Sequence, residues 1–346
     1  MPYDPPTRAP EPAGLPIEPP WRGETYYETA SLKASPWGWK VSTYIFIGGL
    51  AGSAQIIATV ADLAGGERAR GIVRRGRHLA LLAPLIGGPL LIADLHTPQR
   101  WYNMLRIFRR TSPMSIGTYV LSSFTLFSAA AALLPEKAAR AAQIPAAVAG
   151  AAMSTYTASL LAATSTPFWA AQPEALAARF GCSAMATAAA ALSLAQRVDG
   201  EPEETCRTLD AVAAVALAGE AAAASLGDRQ VRERGAASPG DAGAIETWGA
   251  VALGIALPLA CYSLDRLRRR SSPALSLVGS LAVLAGGLLV RDAILRTGNR
   301  SARRPRDYFR FTQPEVTASI AGDAAARRLA GTADEAMRRR SGGGGR

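Results

Sequence analysis

An aspartate and a histidine two residues apart open the densest polar cluster of the sequence, Asp94-Leu95-His96-Thr97-Pro98-Gln99-Arg100-Trp101-Tyr102. Histidine titrates near neutral pH, and partial burial raises a carboxyl toward that range. Asp94 and His96 are therefore a catalytic pair in prospect, able to pass a proton at the edge of an apolar segment. The plainer alternative makes Asp94 a helix cap or the ion-pair partner of Arg100, with His96 among lipid headgroups; structural ion pairs perturb the same pKa values. Tyr156 and Ser159 are three apart in a run rich in Thr and Ser, so they fall on nearby faces of a helix. A tyrosine hydroxyl inside an apolar span needs a partner, either a neighbouring helix or a ligand. Glu220, Asp210, Arg291 and Asp292 interrupt apolar stretches, and ionisable residues there mark function by default because they are expensive. Arg291 with Asp292 also reads as a structural pair near an interface, whereas Glu220 has no adjacent cation on its own span.

Other chemistries are missing their parts. There is no phosphate-binding Walker loop, no dinucleotide fingerprint and no Ser-His-Asp arrangement. The cysteines, Cys182, Cys206 and Cys261, form no Cys-x-x-Cys pair, so neither a disulfide framework nor a metal knuckle is expected. Two histidines, His78 and His96, are too few for several bis-histidine haems.

The elements that must position these residues are apolar blocks. The chain has 346 residues, 49% hydrophobic and 19% charged, with a formal net charge of +11 and a mean hydropathy of +0.10. A run of about 18 or more apolar residues spans a bilayer as a helix. Eight such spans are expected, near 39–63, 78–95, 116–134, 144–163, 175–194, 209–226, 245–264 and 274–295. The fold class is therefore all-α integral membrane, and eight transmembrane helices divide naturally into two four-helix bundles. A soluble two-domain enzyme and an outer-membrane barrel, with its alternating ten-residue strands, are both excluded. Pro84 and Pro89 with Gly87 and Gly88 predict a kink or an unwound turn in the second span. Gly48-x-x-x-Gly52 and Gly49-x-x-x-Ser53 provide the small surfaces by which membrane helices approach one another.

Three domains are expected: a Pro-rich tail and short amphipathic lead-in at 1–36, the membrane domain at 37–297, and a basic, partly disordered tail at 298–346 with a polar helix near 316–340. The loop from Trp101 to Ser115 alternates aromatic and basic residues, which suits either an interfacial helix or a docking surface. Short loops on one side carry 13 Lys+Arg against 7 on the other, which sets both termini on the non-cytoplasmic side. The arginines flank spans and suit membrane lipids better than nucleic acid.

Several segments match a known family in order and spacing. They are Trp37-Gly38-Trp39 through Tyr44-Ile45-Phe46-Ile47-Gly48-Gly49-Leu50-Ala51-Gly52; Asp94-Leu95-His96-Thr97-Pro98-Gln99-Arg100-Trp101; Ser112-Pro113-Met114-Ser115-x-Gly117; Tyr156-Thr157 through Thr166-Pro167-Phe168-Trp169; and Gly286-Gly287-Leu288-Leu289-Val290-Arg291. Over about residues 25–310 the chain resembles the NrfD/polysulfide reductase membrane-subunit family. That resemblance implies a bacterial inner-membrane subunit without haem that binds a quinone, menaquinone or ubiquinone. It implies an iron–sulfur ferredoxin-like partner that leads to a molybdopterin catalytic subunit. The terminal substrate's active site would lie in that partner, so this chain would hold only part of an oxidoreductase. By position, Asp94 matches the family's acidic residue at the end of span 2, Tyr44 stands where some members have a histidine, and Tyr156 matches a quinone-contacting tyrosine. Arg100 and Ser159 complete the expected quinone-binding set. Glu220 and Arg291 match intramembrane positions tied to proton movement, with Asp210 and Asp292 beside them. Val41 in place of an asparagine and His96 in place of a glycine depart from the pattern. Two rival functions stand beside this one: a proton or solute transporter, and a redox-silent structural anchor.

Overall fold

The computed structural model of the chain describes residues 32–236, 249, 251–268 and 272–312. The expected Pro-rich tail to residue 31 and the polar helix near 316–340 lie outside them. All regular structure among the described residues is helical. The main elements are α1 (Trp39–Ala64), α2 (Arg70–Asp94), α3 (Pro113–Leu133), α4 (Glu136–Ala162), α5 (Pro173–Val198), α6 (Glu203–Glu233), α7 (Leu257–Leu267), α8 (Pro273–Arg303) and α9 (Pro305–Thr312). Among the described residues seven helices, α1 to α6 and α8, are long and apolar enough to cross a membrane. The expected span at 245–264 is described only in part: a π-helical segment, Ala252–Ala256, leads into α7.

Sequence chemistry sets the ends. Proline occupies the first turn of α3, α5 and α8, where its missing N–H costs no hydrogen bond. The Ser112 side chain caps α3 by accepting from the Ser115 amide at 3.3 Å. Inside α2, Pro84 and Pro89 remove two helical donors, and Ala83–Gly87 is a π-helical turn, the local break that the proline–glycine cluster predicts.

Several helices outrun their expected spans. α6 begins at Glu203 and ends at Glu233, against an expected 209–226. Hydropathy detects only the apolar middle of a helix, whereas charged ends are good helix formers. α8 runs on to Arg303, so residues 298–312 of the expected tail are helical apart from Arg304. Asn299 accepts from the Ser35 amide and hydroxyl, and Ser301 accepts from the Phe168 amide.

α1 and α5 occupy the centre. α1 packs on α2, α4, α5 and α8, and α5 packs on α1, α4, α6 and α8. The glycines of α1 face two partners. A Cβ on Gly52 would lie 2.4 Å from the Gly150 carbonyl oxygen of α4, and one on Gly49 would lie 3.0 Å from Ala184 of α5. By contrast α3 and the middle of α2 present Leu85, Ile86, Leu126 and Leu133 outward, the arrangement of lipid-facing helices.

Candidate functional site

Tyr44 lies one turn beyond Lys40 on α1 and is buried. Its hydroxyl is in hydrogen-bond contact with the hydroxyl of Tyr156, which projects from α4 and is half-buried. Both rings sit against glycine. A Cβ on Gly117 of α3 would lie 2.5 Å from the Tyr156 ring. One on Gly87, in the π turn of α2, would lie 3.2 Å from the Tyr44 ring. A side chain at either position would displace a tyrosine, so the helix break and the glycine of the Ser112-to-Gly117 motif both serve the pair.

The polar cluster lies at the same end of the bundle. Lys40 Nζ donates to the Ala93 carbonyl at 3.0 Å, which ties α1 to the end of α2. Lys40 and His96 are the basic side chains nearest Asp94 in its electrostatic surroundings. Asp94 is half-buried, while His96, Arg100 and Ser159 are exposed. No Asp94–Arg100 ion pair is present among the described residues, so the plainer reading of Asp94 gains no partner there. The structure therefore brings Tyr44 and Tyr156 into direct contact and sets Asp94 and His96 at the end of α2 beside Lys40. Arg100 and Ser159 face outward. Lys40 escaped the sequence reading although its i, i+4 spacing from Tyr44 was there to be used. The adjoining loop is fixed by Tyr119, whose hydroxyl donates to the Leu105 carbonyl at 3.0 Å and whose ring meets Phe108 edge-on. Trp101, Tyr102, Ile107 and Phe108 are exposed there.

The intramembrane ionisable residues separate into three groups. Arg291 of α8 is fully buried; its Nη1 donates to Ser183 Oγ of α5 and to the Gly287 carbonyl, both at 2.9 Å. Its guanidinium stands 5.7 Å and 5.6 Å from the ring centroids of Phe46 and Phe180. Glu220 of α6 is buried and faces the charges of Arg179 and Arg291, with no direct ion pair to either among the described residues. The cation that its own span lacks thus comes from α5 and α8. Asp210 belongs to a second group, accepting from Ser193 at 2.6 Å and from Ser276, with Arg197 at 3.6 Å. Asp292 belongs to a third, paired with Arg296 at 2.6 Å and accepting from Ser42 at 3.4 Å. Arg291 and Asp292 are adjacent in sequence and hence about 100° apart around the helix, so they are not a pair. Among the described residues no group of three or more His, Cys, Asp or Glu is placed to hold a metal ion. All three cysteines are free thiols.

The sequence matches the family described as polysulphide reductase, NrfD, over residues 28–301. That stretch takes in α1 to α7 and nearly all of α8. The chain belongs to the NrfD family. It is also 32% identical over 94 residues to the C subunit of polysulfide reductase from Wolinella succinogenes, an alignment that covers 25% of this chain and 29% of that protein. This NrfD-family chain thus spans under a third of that relative's length. With its long apolar helices, it is a multi-pass membrane protein.

Proposed function

We propose that this NrfD-family chain is the quinone-reactive membrane subunit of a respiratory oxidoreductase, and that it anchors and exchanges electrons with an iron–sulfur partner. The observation that carries this reading is the contact between the Tyr44 and Tyr156 hydroxyls, cradled by Gly87 and Gly117 at one end of the bundle. The donor set suits a quinone. A phenol hydroxyl donates to a quinone carbonyl or accepts from a quinol hydroxyl, and partly exposed Tyr156 offers such a group. A bound quinone supplies two-electron, two-proton redox chemistry. This chain's own residues do the rest. Tyr44 and Tyr156 orient the ring oxygen, Asp94 and His96 exchange the proton with water at the membrane surface, and Lys40 steadies the charge on Asp94. Electrons pass to or from iron–sulfur clusters of the partner and on to a molybdopterin subunit, whose substrate sets their direction. The exposed aromatic and basic face from Trp101 to Phe108 lies at the same end and suits that partner's docking.

The same reading counts α7 as the eighth span. α1 to α4 and α5 to α8 then form two four-helix bundles in a membrane domain of about residues 37–297, an arrangement supported by the pairings α1–α2, α3–α4, α5–α6 and α7–α8. Both termini face away from the cytoplasm of a bacterial inner membrane. One observation favours a second reading: the buried Arg179–Glu220–Arg291 group suits a proton or solute transporter, which would carry flux without quinone. The deciding experiment purifies the complex from its native membrane and assays quinol-dependent electron flow. Asp94→Asn and Tyr156→Phe should each slow it at least about tenfold, equivalent to about 1.4 kcal/mol of barrier, with normal assembly. Full activity in both variants, or purification without a redox partner, would end this reading.

A further inference from the structure

The end of the bundle remote from the tyrosines holds a cavity of about 700 Å³ that the proposed chemistry does not use. Asp62 on its wall lies 18 residues beyond Tyr44, roughly 27 Å along a helix. The end of α1, the first turns of α2, the end of α3, the start of α4 and the turn after α5 surround it. One side is fully compensated. Arg77 of α2 is buried, donates to Gln143 at 3.0 Å and approaches Glu136 at 3.5 Å. Gln143 donates to Asp62 at 2.7 Å, and Arg140 meets Glu136 at 3.0 Å and Asp62 at 3.5 Å. Two arginines and two carboxylates cancel there and brace α1, α2 and α4. Arg70 and Glu67 form an exposed pair at the mouth, of a kind that contributes little.

The other side is not compensated. Arg75 holds the Asp199 carboxylate through two nitrogens. Arg74, which lines the cavity, reaches the same carboxylate only at 3.6 Å and is largely exposed. Two arginines thus share one carboxylate, and Arg74 is the surplus cation. Glu201 also lines the cavity and forms no ion pair among the described residues. The end of α5 puts it there. Gly200 has φ +72°, and the Gly200 and Glu201 amides donate to the Arg197 and Gln196 carbonyls, a helix end that glycine makes possible. The Gln196 side chain is wholly buried, and neither its oxygen nor its nitrogen has a partner among the described residues. Both side chains rest on Gly71 of α2, where a Cβ would lie 2.6 Å from Gln196 Oε1 and 2.8 Å from Glu201 Oε1. Two acceptor oxygens, one of them charged, therefore lie against the one residue type that leaves them room. Gly71 and Arg74 are three apart on one face of α2, so the surplus carboxylate and the surplus cation adjoin.

A ligand that completes both groups carries one cation rich in N–H donors and one anion. A primary ammonium offers three donors and no acceptor, and a phosphate pairs with guanidinium through charge-assisted hydrogen bonds. A free phosphate would leave Glu201 unmatched and repelled. The surroundings point to a lipid. Exposed Leu63 follows Asp62, and exposed Leu133 follows Ala132 on the cavity wall. Exposed Leu126 lies two turns earlier on the same stripe of α3. The cavity thus opens where an apolar helix surface reaches the end of the bundle, the level of lipid headgroups. We propose that it binds a phospholipid whose headgroup is phosphoethanolamine. The ammonium sits on Glu201 with the Gln196 oxygen behind it, the phosphate on Arg74 and Arg70, and the acyl chains along Leu63, Leu133 and Leu126. Bound there, the lipid fastens α1 to α4 to the turn between α5 and α6. This site is independent of the quinone reading.

The test uses the intact protein, purified from its native membrane and stripped of lipid in detergent. It is titrated with phosphatidylethanolamine, phosphatidylcholine and phosphatidylglycerol of identical chains, and with free phosphoethanolamine. Native mass spectrometry counts the bound molecules, and thermal unfolding gives Tm. Phosphatidylethanolamine should bind at least about fivefold more tightly than the other two lipids, the loss expected when charge-assisted hydrogen bonds are removed, and should raise Tm the most. Choline has no N–H to donate, and glycerol has no charge. Glu201→Gln should abolish that preference without weakening phosphatidylglycerol, whereas Arg74→Gln should weaken all three lipids. Both side chains are at least partly exposed, so neither change disturbs the packed interior. Equal binding of phosphatidylethanolamine and phosphatidylcholine to the wild type would overturn the ammonium place. A preference that survives Glu201→Gln would move it away from this cavity. Free phosphoethanolamine binding as tightly as the lipid would replace the lipid with a soluble ligand of the same chemistry.

Discussion

The tyrosine pair and the Glu220–Arg291 group show two ways of keeping polar atoms inside one helical bundle. The first is neutral, lies near one end of the helices, and keeps Tyr156 half-exposed at its edge. The second is ionic, fully buried and enclosed by α5, α6 and α8, with Glu220 Oε1 and Arg291 Nε left without protein partners. Two hydroxyls cost little to bury once they bond each other. Buried charges need each other, and the loss of one leaves the other uncompensated. On the reading proposed above, the neutral pair meets a ligand and the ionic group holds helices or passes charge. A mutation in the first should alter activity more than stability, and a mutation in the second should do the reverse.

The largest expected effect breaks the ionic side. Arg291→Met removes one of the two cations that face Glu220 and strips Ser183 of its donor, and leaving a buried charged group short of compensation costs at least about 1–3 kcal/mol. Thermal unfolding in detergent should show a large fall in Tm and poor assembly. An unchanged Tm would mean that this group is not structural, and the contrast would fail. Next comes Gly117→Ala, whose Cβ would lie 2.5 Å from the Tyr156 ring. Overpacking costs about 1–3 kcal/mol, and the displaced tyrosine should lower quinol-linked turnover by more than the stability loss explains. Equal losses in both would remove Tyr156 from the proposed site. The smallest effect lies outside both regions. Arg75 holds the Asp199 carboxyl below its ordinary range through a direct side-chain hydrogen bond. A depressed carboxyl stabilises the fold above its unfolded value of about 3.9, and that contribution is lost as pH falls through the lower folded value. Arg75→Gln should flatten this acid-side loss in unfolding curves without touching turnover. A slope unchanged in the variant would show that the pair does not report on folding.

The helices and the break in α2 were legible in the sequence, because bilayer length and proline chemistry act locally. Tyr44 and Tyr156 were legible one by one through motif resemblance, but their mutual contact was not: 112 residues separate them. The split of Arg291 from Asp292 follows from helical geometry once the span is drawn. The cations of Glu220 were not visible, since Arg179 and Arg291 lie on other helices. Lys40 carried a usable signal in its spacing. Gln143, Gln196 and Asp62 carried none, since carboxamides and an end-of-span carboxylate look alike wherever they occur.

The sequence by itself determined that this is a helical membrane protein of the NrfD type, where most of its spans lie, and which side chains within them are chemically costly. Those properties depend on composition and on neighbours within a few residues. The tertiary structure alone decided which of the costly groups come together: tyrosine with tyrosine, Asp292 with Arg296 rather than Arg291, Asp210 with Ser193 and Ser276, and Glu220 in the field of cations on α5 and α8. The physical reason is that a span's hydropathy is summed along one helix, whereas a buried hydroxyl, carboxamide or charge is satisfied across helices, by partners that only packing brings within reach.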